Sequence, residues 1–181
     1  MFKKKQIWMK VHLYLSLFFL PAALIYAITG SLYLFDIKEE AGATIHEIQI
    51  ESLPKGKEQD TILQILKDNN LKIPSDTTLK MVRGNPSMGS IRYSIMVIKE
   101  RDGTMKLRAV ERGFYGILLL MHKGKGGFYF DIIAIGFSVS LFLFYFSGLI
   151  ITAFCKHKRG VALLAFFCGF CVTGLMVFLS I

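Results

Sequence analysis

Residues 11–35 read VHLYLSLFFLPAALIYAITGSLYLF, and Asp36 follows at once. The run holds 25 residues without a charge, more than the ~20 that an α-helix needs to cross the hydrocarbon core of a bilayer. It exceeds the h-region of a cleaved leader, roughly 7–15 residues, and no small-x-small cleavage pattern follows it. It therefore reads as an uncleaved anchor. His12 lies about one turn inside its basic end, where an ionisable side chain costs free energy and marks a functional site. Pro21 removes one backbone hydrogen bond and predicts a modest kink. Thr29-Gly30-Ser31 is a small-residue triplet that lets another helix or a flat ligand approach closely. The helical period puts Ser16, Phe19, Ala23, Tyr26 or Ala27, and Gly30 on roughly the face of His12. That stripe suits a flat ligand and close helix packing equally well.

Charge placement orients the chain. Lys3, Lys4, Lys5 and Lys10 precede the first apolar run, and Lys156, Lys158 and Arg159 separate the next two. All 13 acidic residues lie between Asp36 and Asp131, beside 15 basic ones. By the positive-inside rule the tail 1–10 and the loop 155–160 are cytoplasmic, and 36–131 is outside. The net charge of +9 thus belongs to membrane orientation, and a nucleic-acid function is set aside. Cys155, Cys168 and Cys171 fall in or beside membrane runs, which excludes a disulfide framework for the external module. The C-x-x-C of Cys168 and Cys171 lies mid-membrane, where two polarizable packing residues are the simpler reading.

The expected architecture is a membrane α-helical protein with three transmembrane helices, 11–35, 132–154 and 161–181, and an inserted external α+β module at 36–112. Within the module, 45–51 alternates as a strand and 59–70 is an amphipathic helix. Residues 77–83, 90–100 and 104–110 read as three further strands, giving β-α-β-β-β. Gly84 to Gly89 and Arg101-Asp102-Gly103 read as connectors, the latter a hairpin turn. Residues 113–131 form an interfacial segment and link that delivers His122 ahead of Lys123-Gly124-Lys125-Gly126-Gly127. Ser147-Gly148 gives the second span a small-residue packing stripe. No nucleophile elbow, H-E-x-x-H or phosphate loop is present.

The four histidines carry the functional signal. His12 and His157 fall on the cytoplasmic side, His46 and His122 outside. His122 and His157 are 35 residues apart, about 50 Å along a helix, so ligands must pair across helices at one membrane face. Two imidazoles facing each other between apolar helices hold a b-type haem, the protein supplying axial ligation and burial. The simpler readings are that His157 belongs to the basic loop, that His46 is a surface strand residue, and that His12 and His122 are buried hydrogen-bonding groups. Imidazole also suits zinc, copper or iron, but no carboxylates or thiols cluster to complete a tetrahedral site. Covalent haem c is excluded because C-x-x-C-H is absent.

The run KVHLYLSLFFLPAALIYAITGSLYLFDIKEE resembles the opening helix of the PepSY-associated transmembrane proteins, with His12, Thr29-Gly30-Ser31 and Glu39-Glu40 in matching places. LLLMHKGKGGFYFDIIAIGFSVSLFLFYFSGLI resembles the second signature of that family, a histidine (here His122), a glycine-rich link and a helix ending in Ser147-Gly148-Leu149. The module between them suits a PepSY-like domain. The resemblance implies a bacterial inner-membrane protein with residues 36–131 in the periplasm. Some members are haem-containing reductases that pass electrons across the membrane to ferric siderophores. It therefore implies one or two haem b groups, with His12 and His122 as leading ligands and His157 matching a histidine that opens a later helix in longer members. Those members have four or more spans, so a homodimer or second membrane subunit would complete the ligand set. The alternative is a non-enzymatic protein whose module binds a periplasmic peptidase or a transporter subunit. An accessory subunit for metal uptake is a third possibility.

Overall fold

The structure is a computed structural model, and it describes residues 2–100, 103–154 and 159–181. His157, Cys155 and most of the Arg101-Asp102-Gly103 turn lie outside the described residues. The chain divides into two compact units, Met1–Ala23 with Ile133–Ile181, and Leu24–Ile132.

The first apolar run forms two helices, α1 (Phe2–Phe18) and α2 (Leu20–Leu34), bent by 55° at Phe19. The bend is sharper than the kink expected from Pro21, and its cause is the same. Proline has no N–H to give the Leu17 carbonyl, and its ring crowds that carbonyl. The flanking bonds survive, Phe19 N–H to Leu15 at 3.1 Å and Ala23 N–H to Phe19 at 2.9 Å. The stripe drawn from His12 to Gly30 is therefore broken in the middle. α2 stops in a Schellman arrangement: Ile37 N–H bonds Leu32 O, Asp36 N–H bonds Tyr33 O, each at 3.1 Å, and Asp36 takes φ 63°.

Beyond the module come α5 (Phe128–Phe154) and α6 (Arg159–Leu179). Phe128–Thr152 and α6 are each long and apolar enough to cross a membrane, and α1 with α2 qualifies as a third span only if the bent pair counts as one. None of the most apolar window of α6 is buried, so its side chains are left for lipid or for a partner helix. Cys168 and Cys171 are free and exposed on it.

The module is a five-stranded antiparallel sheet in the order β1-β5-β4-β3-β2. The strands are β1 (Thr44–Ile50), β2 (Lys80–Val82), β3 (Asn85–Gly89), β4 (Tyr93–Lys99) and β5 (Met105–Glu111), and α3 (Glu58–Asp68) packs on one face. Its core joins Ile62 and Leu66 of α3 to Ile95, Val97, Leu107 and Ala109 of the central strands. Ile62, Leu66, Ile95 and Leu107 are fully buried, each worth ~1.5–3 kcal/mol of transfer free energy. The sheet has one strand more than expected, because the supposed connector after Arg83 is β3. Arg83 (φ 52°) and Gly84 (φ 82°) make the two-residue turn, both in the left-handed region that matches strand twist in a tight hairpin. Pro86 and the glycines disguised that strand; Pro86 faces Met81 in the ladder.

After β5, Gly113 opens α4 (Phe114–Leu120), which runs into a π-helical turn at Met121–Lys125. Residues 36–43 lie along this segment as a strap. Tyr115 donates to Ile37 O at 2.6 Å, and Lys123 Nζ meets Glu39 Oε2 at 3.1 Å. Arg108 holds Glu40 through a bidentate pair at 2.7 and 2.8 Å and Glu47, its cross-strand neighbour, at 3.0 Å. That fork geometry is the strong form of the arginine–carboxylate contact.

Candidate functional site

Two of the four histidines are held by built partners, one in each unit. In the first unit, His12 of α1 stacks on the Phe144 ring of α5, with centroids 4.0 Å apart. Its Nδ1 lies 3.0 Å from Ser147 Oγ and 3.2 Å from the Phe144 carbonyl. Ser147 is fully buried and gives its own hydroxyl proton to that same carbonyl at 2.8 Å. A carbonyl can only accept, and the serine proton is already placed, so Nδ1 of His12 carries the hydrogen. The free lone pair of the ring is then on Nε2.

The second unit repeats the arrangement. His122, in the π turn, lies against the Tyr26 ring of α2 at 4.3 Å. Its Nδ1 is 2.7 Å from Thr29 Oγ1, and Thr29, only 1% exposed, gives its proton to the Ile25 carbonyl at 2.6 Å. With the threonine proton on that carbonyl, Nδ1 of His122 is the donor and its lone pair is on Nε2. A π turn widens the helix locally and re-aims its side chains, which lets His122 face α2 while the adjacent Lys123 reaches Glu39 and sits 4.8 Å over the Tyr33 ring.

Glycine completes each cradle. A Cβ on Gly30 would lie 3.4 Å from Cε1 of His122, and one on Gly148 would lie 3.7 Å from Cε1 of His12. The two cradles are one local pattern used twice, Tyr26-Ala-Ile-Thr29-Gly30 and Phe144-Tyr-Phe-Ser147-Gly148. An aromatic residue stacks on a histidine from another segment, a hydroxyl one turn later accepts Nδ1–H, and glycine leaves the ring room. The small residues were visible in the sequence as packing positions. The repeated aromatic-x-x-hydroxyl-glycine spacing was the signal that would have found the cradles, and Tyr26 and Phe144 were missed as ring partners.

The other named positions stand apart. Ser31 is exposed on α2, and Ser16 bonds the Leu13 carbonyl at 2.9 Å. His46 is exposed on the edge strand β1 opposite Ala109. Among the described residues no group of three or more histidine, cysteine or carboxylate side chains converges to hold a bare metal ion.

His12 also lines a groove of about 800 Å³ in the first unit, walled by Phe144, Gly148, Leu149, Phe166 and Phe167 with Arg159 and Thr152 at its polar positions. Ligand sites commonly fall between roughly 300 and 1,000 Å³ with a mostly apolar lining. An imidazole whose Nδ1–H is held by a fixed acceptor, with a glycine beside it, has the arrangement of a ligating histidine, since such histidines donate their other N–H to a fixed partner.

No family model, curated protein or solved structure matches this chain. The chemistry of the two cradles is what bears on function.

Proposed function

We propose that this chain is a three-span inner-membrane protein, with a cytoplasmic N-terminus and a periplasmic module, that carries electrons across the membrane through b-type haem to reduce ferric iron or ferric siderophores. The reading rests on one observation above the rest: two histidines, each with Nδ1 on a buried hydroxyl and a glycine alongside, an arrangement that turns Nε2 toward a ligand. A buried hydrogen-bonding histidine needs one such cradle. Its repetition, with one histidine near the basic N-terminal boundary and the other after the module, fits two electron stations.

In this mechanism His12 and His122 ligate through Nε2, and haem supplies the one-electron chemistry when bound. Ser147 and Thr29 fix the tautomer and the ring angle, which also raises ligand basicity. Phe144 and Tyr26 limit ring rotation. The apolar lining of the groove beside His12 would give a redox centre there a low local dielectric, which tunes its potential. His157, a second copy of the chain or a second subunit would supply the further residues needed to hold each group. The module's basic residues would attract an anionic ferric chelate.

The test is a reduced-minus-oxidised optical spectrum of the detergent-purified protein with His12→Ala and His122→Ala. Sharp α and β bands weakened by each substitution are expected. A colourless protein from haem-supplemented cells would leave the module as a binding domain for a periplasmic protein.

A further inference from the structure

The groove beside His12 has a polarity that the histidine alone does not explain. Its lining is mostly aromatic and aliphatic, with His12 and Gly148 among the residues, and Arg159, in the first turn of α6, is its one cation among the described residues. Among the described residues no acidic side chain lines it. Arg159 forms no ion pair among the described residues. A guanidinium beside an apolar slot presents a planar fork that matches a carboxylate, whereas an ammonium would act as a point charge. A ligand that is flat, apolar in its body and anionic at one edge satisfies all three features at once.

We propose that Arg159 anchors the propionate edge of a tetrapyrrole in this groove and so sets which way round the ring lies against His12. The assignment deepens the haem reading and rests on it. It makes Arg159 a ligand-binding residue, where its position beside a cytoplasmic loop would otherwise make it only a topology signal. A phospholipid headgroup is the competing anion for the same guanidinium, and its phosphate would leave the His12 wall to acyl chains.

The full-length protein, prepared without haem in nanodiscs, separates these. Haem and haem dimethyl ester, which lacks the propionate charges, are titrated by Soret absorbance into the wild type, Arg159→Gln and Arg159→Lys, with His12→Ala as the control for the groove. Losing one charge-assisted contact corresponds to about a tenfold weakening. Arg159→Gln is expected to weaken haem at the His12-dependent site by that factor, with partial recovery in Arg159→Lys. The ester should bind the wild type and Arg159→Gln alike. Equal weakening of haem and ester would make Arg159 a structural residue and overturn the proposal. Unchanged haem affinity in Arg159→Gln would overturn it too, leaving the guanidinium to lipid. A wild type that binds neither compound would instead sink the haem reading itself.

Discussion

Nδ1 of His122 lies 2.7 Å from Thr29 Oγ1, which in turn lies 2.6 Å from the Ile25 carbonyl, so a threonine proton directed at that carbonyl makes the imidazole the donor. Ser147 stands in the same relation to His12. Removing the Thr29 hydroxyl takes away the acceptor of the His122 N–H, and removing that of Ser147 leaves His12 only the longer contact to the Phe144 carbonyl, so each ring is freer to turn. Partners of this kind are worth roughly 10–100-fold in affinity at metal-ligating histidines. Thr29→Val, which keeps the side-chain shape, and Ser147→Ala should each lower the haem-to-protein ratio by a factor in that range. A ratio equal to the wild type's in both would show that the hydroxyls are packing groups.

The glycines grade by distance. The Cβ of Gly148→Ala would sit in ordinary contact with His12, while that of Gly30→Ala would press on His122 at 3.4 Å. Gly30→Ala should therefore shift the spectrum of its site more than Gly148→Ala does. Gly148→Leu should perturb the His12 site more than Gly148→Ala does, because its side chain would fill part of the groove beside the ring. The expected order is read from reduced spectra, and the reverse order would disagree with the cradle geometry.

Gly116 of α4 is a structural counterpart. A Cβ there would collide with the Glu39 carbonyl, and backbone cannot step aside as a flexible side chain can. Gly116→Ala should destabilise the module by ~1–3 kcal/mol, the usual cost of overpacking. Thermal unfolding followed by circular dichroism measures it. A stabilised protein, as expected for Gly→Ala in an unhindered helix, would mean the strap is not clamped there.

Acid should loosen the same strap. The Glu39 carboxyl is held below its ordinary range by its own backbone N–H and then by Lys123, against the opposing effect of burial. A folded-state value below the unfolded one gives stability that is fully present above the unfolded value, ~4.3. It is lost as pH falls through the lower folded value. Asp76, held down to about 2 by Lys80 and by Thr78, follows the same sign at lower pH. Stability measured from pH 5 downward should fall, and Glu39→Gln should flatten the upper part of that fall while leaving the Asp76 part. An unchanged profile in Glu39→Gln would remove Glu39 from the account.

Much of this was legible in the sequence because its signals are local. Uncharged runs of 21 residues or more announce the apolar helices at any position in the chain, and the alternation in β1, β4 and β5 placed three strands within one to three residues at each end. The strand β3 was hidden because Pro86 and Gly89 normally break ladders, whereas here Pro86 sits in register opposite Met81. Its hairpin was hidden because Arg83 gives no hint that it will adopt a positive φ. The histidines were found by type and position. Their partners were not, since Ser147 lies 135 positions from His12 and Thr29 lies 93 from His122. Contacts of that span appear only once the helices are packed.

The measurement that tests the central claim most directly is the reduced optical spectrum of the purified full-length protein beside His12→Ala, His122→Ala and the double variant. Sharp α and β bands are expected in the wild type, with a partial loss in each single variant and a complete loss in the double. A wild-type spectrum without a Soret band, or bands untouched by the double substitution, would contradict that claim.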